Sequence, residues 1–184
     1  MIRKKKQQEI PQKEKSYKPK TIICRDVNGK KSEAPVVALN FRPSAYGLLI
    51  EDGKILLSRQ WDGYDFPGGG IEIDETIEDA LKREFIEETG LNIEPITAIH
   101  AETDFFNPDY AEKYKGQFWN CIMIYYLVKK TGGELTTANF CDTEKEYADM
   151  PVWMGLDEIY GKKFFNSVDS VKLIEKAAKT KKNL

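Results

Sequence analysis

Residues 76–90, TIEDALKREFIEETG, place apolar side chains at Ile77, Leu81 and Phe85, one every four residues, shortly after the run WDGYDFPGGG at 61–70. That period belongs to a helix with one buried edge, whereas the segments before it are rich in the β-branched and aliphatic residues of strands. Thr76 or Asp74 can cap the start, acidic residues fill the first turn, and Gly90 stands where a left-handed C-cap ends a helix. A helix punctuated this firmly between strand segments restricts the chain to a mixed α and β fold.

The remaining segments extend that order. TIICRDVNGKKSEAPVVALN predicts two short strands about Asn28-Gly29, and AYGLLIEDGKILLSRQW predicts a second hairpin turning at Asp52-Gly53. Beyond the helix, IEPITAIHAET and FWNCIMIYYLVKK predict strands, Gly132-Gly133 a turn, and LDEIYG and SVDSVKLIEKAAKT helices. Asn107-Pro108 and the loop to Gly116 form a long connection, a feature that often serves as a lid. The expectation is an α+β fold in the order strands, helix, strands, helix. A length of 184 residues suits one domain, here 21–184, able to bury a core without disulfide support.

Charge and cysteine content narrow the setting. Lys plus Arg (28) nearly balances Asp plus Glu (30), so bulk charge does not indicate a nucleic-acid binder. Residues 1–20 are locally basic and Gln-rich, the composition of a flexible arm, which reads first as a solvated tail and only second as a contact to RNA or DNA. Cys24, Cys121 and Cys141 are scattered and form neither a CxxC pair nor an even disulfide framework, as expected of reduced thiols in a cytoplasm. The basic N-terminus has no apolar stretch behind it, and no run approaches membrane-spanning length.

Within REFIEETG, residues 83–90, helical spacing puts Glu84 and Glu88 one turn apart with Glu87 beside them, an arc of about 100°. Carboxylates so close repel one another, and Arg83, one turn from Glu87, cannot neutralise all three. A solvated helix face is the bland explanation. The preceding Pro67-Gly68-Gly69-Gly70 tilts the balance, because glycine lets backbone approach a charged ligand or metal. Magnesium binds a few carboxylates and takes its other ligands from water and phosphates, which suits such a cluster.

The stretch GGIEIDETIEDALKREFIEETGL, residues 69–91, resembles the signature of the Nudix hydrolases without a gap: Gly69, Glu75, Arg83-Glu84, Glu87-Glu88 and Gly90, with apolar Phe85 and Leu91. Phe85 is the one departure, where the family more often has an aliphatic residue. The resemblance implies a Nudix-type α/β/α sandwich with a mixed β-sheet, from roughly residue 35 to residue 160. It also implies hydrolysis of a diphosphate bond in a nucleoside diphosphate linked to another group, with Mg2+ or Mn2+. By matched position, Glu87 and Glu88 are the principal metal ligands it implies and Glu84 a further ligand or the general base. Glu75 is then a supporting carboxylate, Arg83 the residue that orients the cluster, and the Gly68 carbonyl a metal contact. Family members often recruit an acid from a later loop, for which Glu144 and Glu146 are the candidates.

Other residues fill out the picture. His100, the only histidine, sits in an alternating apolar segment and reads as packed or hydrogen-bonded rather than catalytic. The cysteines read as small apolar residues in packing. Trp61, Tyr64 and Phe106 are the candidates for stacking on a nucleobase. Two rivals to an enzyme with a small nucleotide substrate are a Nudix-like sensor that binds nucleotide without cleaving it, and an RNA-associated enzyme with decapping-like chemistry. No pattern selects the nucleotide, and a homodimer is a further expectation from the resemblance.

Overall fold

A computed structural model describes residues 20–142 and 144–184; the expected basic arm of residues 1–20 lies, Lys20 apart, outside the described residues. The strands are β1 (Thr21–Arg25), β2 (Lys31–Pro35), β3 (Leu39–Glu51), β4 (Lys54–Gln60), β5 (Gly63–Asp65), β6 (Gly68–Gly70), β7 (Leu91–Phe106), β8 (Phe118–Gly133) and β9 (Ala148–Gly155). Two helices, α1 (Ile77–Thr89) and α2 (Ser170–Lys182), complete the α+β fold.

The sheet is mixed, in the order β2-β1-β7-β8-β3-β4-β5, with β6 also on β3 and β9 on β4. β3 runs parallel to β8 from Leu39 opposite Phe118 to Leu49 opposite Val128, while β7 and β8 are antiparallel. Both expected hairpins form. β1 pairs β2 across a turn in which Asp26 Oδ1 accepts from the N–H groups of Asn28 and Lys30, and β3 turns into β4 at Asp52 and Gly53, both at positive φ.

One helix covers each face. Leu81 and Phe85 of α1 are fully buried against Ala45, Leu49, Leu56 and Val128, while Leu173, Ile174 and Ala177 of α2 pack with Leu48, Ile50, Ile55 and Leu57 on the other side. Neighbouring strand residues thus feed opposite layers, as strand alternation requires, and each such Leu or Phe contributes about 1.5–3 kcal/mol by leaving water. The α1 caps are as expected: Thr76 Oγ1 accepts from Asp79 N, and Gly90 is left-handed.

Two expected elements differ. LDEIYG, residues 156–161, is a chain of turns rather than a helix, closed by Gly161 at φ 73° and anchored by the buried Ile159. Gly132 and Gly133 belong to the end of β8, opposite Asn92 and Leu91, rather than to a turn. No helix among the described residues is long and apolar enough to cross a membrane.

Candidate active site

The glycine run is a strand as well as a loop. β6 lies antiparallel on β3, with Gly69 opposite Ala45, which brings its backbone beneath α1. A Cβ on Gly69 would stand 2.6 Å from Glu84 Oε1, so only glycine lets that carboxylate rest against the strand. Gly68, at φ 143°, donates its N–H to Glu88 Oε2 at 3.1 Å, and Ser58 Oγ donates to the same oxygen at 3.0 Å.

Arg83 reaches further than one turn of helix. Its guanidinium donates to both oxygens of Glu75, at 2.6 and 2.9 Å, to Glu84 Oε1 at 2.9 Å, to Glu87 Oε2 at 3.0 Å and to the Gly70 carbonyl at 3.0 Å. The hydrogen bonds from Arg83 pull the Glu75 carboxyl down to about 2. Burial pushes Glu84 up, opposed by Arg83. Glu88, which Arg83 does not touch, is raised well above the ordinary carboxylate range by burial and by the charge of Glu84, with Gly68 N–H opposing.

The carboxylates that converge are Glu84, Glu88 and Glu144, each presenting one oxygen, all within 4.8 Å of one another. Glu144 opens the 3-10 turn Glu144–Glu146 and accepts from Cys141 N at 2.7 Å. Glu146 is not part of this group. Glu87 stands on the same cleft wall, 42% exposed and held by Arg83.

These acids line a cleft of about 380 Å³ that also contains Trp61 and Phe106. Trp61 stacks on Tyr147 with ring centroids 4.7 Å apart and meets Phe165 edge-on at 4.9 Å. Its backbone is left-handed at φ 45°, rare for a bulky residue. Tyr64 does not line the cleft; its ring lies beside Phe164. Strand alternation explains this, because its neighbour Asp65 on β5 faces the cleft. The long connection does reach the site, through Tyr110, Lys113 and Tyr114.

Sequence reasoning missed Arg42 and Asp65, both of which line the cleft. Arg42 donates to Ser44 Oγ at 3.0 Å and lies 4.5 Å from the Trp119 ring, and among the described residues it has no carboxylate partner. Asp65 accepts from Asn166 Nδ2 and from Phe66 N, both at 2.8 Å, and burial raises its carboxyl to about 6. Only strand alternation just before the glycine run could have pointed to Asp65. His100 bonds Glu102 at 3.2 Å away from the cleft. Cys24 and Cys121 are buried as expected, but Cys141 is exposed.

The family model described as NUDIX domain matches residues 40–176. Nudix hydrolase 18, mitochondrial, of Arabidopsis thaliana is 26% identical over 132 residues, 71% of this chain and 67% of that protein. An RNA pyrophosphohydrolase of Pseudomonas fluorescens is 48% identical over 62 residues, which span 32% of this chain and only 39% of that protein. Among solved structures, an ADP-ribose pyrophosphatase from Streptococcus suis superposes with a TM-score of 0.56 at 18% identity, covering 76% of this chain and 91% of that one, a likeness of fold. With well over half its length matched and the acidic box assembled on that fold, the chain belongs to the NUDIX domain family, whose hydrolases act on pyrophosphate bonds.

Proposed function

We propose that the protein hydrolyses a diphosphate bond in a nucleoside diphosphate linked to another group, with Mg2+ or Mn2+ as cofactor. The observation that carries this reading is the convergence of Glu84, Glu88 and Glu144 within 4.8 Å in a cleft lined by aromatic rings and Arg42. The donor set fits a hard divalent cation: every atom is a carboxylate oxygen, and the raised proton affinity of Glu84 and Glu88 marks negative charge in need of a partner. Glu87 and the Gly68 carbonyl complete the candidate ligands. When bound, such a cation neutralises charge on the diphosphate and acidifies nearby water.

The chain's own residues carry the other tasks. Water adds to one phosphorus, the bond from that phosphorus to the bridging oxygen breaks, and the bond's electrons leave with the departing phosphate. The water proton passes to a carboxylate, Glu84 being the first candidate for this base and Glu144 the second. Arg83 fixes the Glu84 side chain while Glu75 fixes Arg83. Arg42, which makes no direct ion pair among the described residues, offers its guanidinium to an anionic ligand, and Trp61 and Phe106 offer faces for a base.

A panel of nucleoside di- and triphosphates, sugar nucleotides and dinucleoside polyphosphates, assayed with and without Mg2+, tests the proposal. Metal-dependent cleavage that falls by about 10³ or more in Glu88→Gln is expected; cleavage of nothing in the panel, or full activity in the variant, rejects it. The Pseudomonas match favours a second reading, removal of pyrophosphate from RNA. Adding a 5′-triphosphorylated oligonucleotide to the panel decides between them by kcat/KM.

A further inference from the structure

The β1–β2 hairpin precedes the span matched by the family model, yet Arg25 and Val27 line the cleft. The hairpin joins the sheet at one register position, Arg25 opposite Phe106, reinforced by Asn107 N donating to the Arg25 carbonyl at 2.7 Å. From there the Arg25 side chain spans two separate cleft walls. Its Nη2 pairs with Asp104 Oδ2 at 2.6 Å, its guanidinium lies 5.3 Å from the Phe106 ring, and its Nη1 donates to the Phe165 carbonyl at 3.4 Å.

Those walls carry the groups suited to an organic ligand rather than to the metal. Phe165 meets Trp61 edge-on, and the next residue, Asn166, holds Asp65. No acid of the converging cluster touches Arg25. A structural filler would not need this residue: its Nε is buried without a partner, a desolvation cost that an apolar side chain would avoid.

We propose that the β1–β2 hairpin is a specificity element, in which Arg25 acts as a positioning residue that sets Phe106, Phe165 and Asn166 for the nucleoside part of the substrate. The inference rests on the hydrolase reading above for the nature of that substrate.

Equilibrium binding tests it, read by calorimetry and by the fluorescence of Trp61 and Trp119 in the cleft. Adenosine and guanosine monophosphates are compared with inorganic pyrophosphate, all with Mg2+, in the wild type, Arg25→Met and Arg25→Lys. The Met variant is expected to lose about ten-fold in nucleotide affinity and less than about two-fold in pyrophosphate affinity. The Lys variant, which keeps the charge but not the fork, follows it. Should Arg25→Met fail to fold, Asp104→Asn gives the same comparison with the shape retained. Equal losses for both ligand classes, or no nucleotide loss, overturn the proposal. A wild type that binds pyrophosphate but no nucleotide also overturns it while leaving a diphosphatase intact; a wild type that binds neither sinks both.

Discussion

Gly47 sits on β3 directly beneath Phe85 of α1, and exchanging it for alanine should disturb fold and site together. A Cβ at Gly47 would lie 2.8 Å from Phe85 Cζ, nearer still to Cε2, and 3.2 Å from Val128 Cγ1. Ordinary carbon contacts lie at about 3.5–4.0 Å, so the ring or the helix must retreat by roughly 1 Å. The helix has little freedom to do so, because Arg83 ties it to Gly70 and Gly90 fixes its end. Overpacking of this kind costs about 1–3 kcal/mol, which for a domain of this size lowers Tm by roughly 2–12 °C. The same displacement would move Glu84 and Glu88 and cost about 10² in turnover. Phe85→Leu, the aliphatic side chain more usual in the family at that position, removes the obstructing ring and alone costs on the order of 1 kcal/mol. The double variant should therefore be more stable than the two single effects sum to, by about 1–2 kcal/mol, and should regain turnover. Urea unfolding and steady-state kinetics on the four proteins measure both. Additive effects, or Gly47→Ala with wild-type Tm, would refute the reasoning.

Further outcomes are expected. Asp65 keeps its proton up to about 6 in the folded protein against 3.8 in an ordinary carboxyl. Its stabilising contribution is therefore full below the unfolded value and is lost as pH rises through the folded one, by up to about 3 kcal/mol. Asp65→Asn should flatten this fall between about pH 4 and 6 and strengthen the fold at neutral pH; urea midpoints with an unchanged pH slope would count against the burial argument. Glu144→Gln should weaken divalent-ion uptake by about ten-fold in calorimetry while Glu146→Gln leaves it near wild type, and equal effects would contradict the convergence of Glu144 with Glu84 and Glu88. Gly69→Ala would set a methyl 2.6 Å from Glu84 Oε1, so turnover should drop by about 10² with a modest change in Tm.

The legible parts of the fold were those whose signals are local. The α1 stripe and caps, and the turns at Asn28-Gly29 and Asp52-Gly53, each lie within a few residues of the structure they specify. LDEIYG misled because one buried side chain, Ile159, looks like helical patterning in a stretch bounded by Gly155 and Gly161 and too short to sustain a helix. Gly132 and Gly133 are taken into β8 because its ladder continues until it meets the start of β7 at Leu91, with Gly133 left-handed at φ 79° where the pairing ends. For the cleft, the acidic box announced itself through spacing, but Arg42, Tyr147, Phe165 and Asn166 come from distant segments with no local pattern to tie them together. Glu144 over Glu146 is likewise a matter of how one 3-10 turn is oriented, which a run of alternating charges leaves open.

Arg83 already spreads its positive charge over Glu75, Glu84 and Glu87 in the protein alone. Part of the crowding on α1 is thereby offset before any ion arrives, while Glu88 is held in place, among the described residues, only by Ser58 Oγ and Gly68 N, so the receptor is positioned in advance but not neutralised. A chelator should silence such a molecule and lower its melting temperature by no more than the free energy of ion binding, leaving it folded, and restored ions should revive it without a refolding delay.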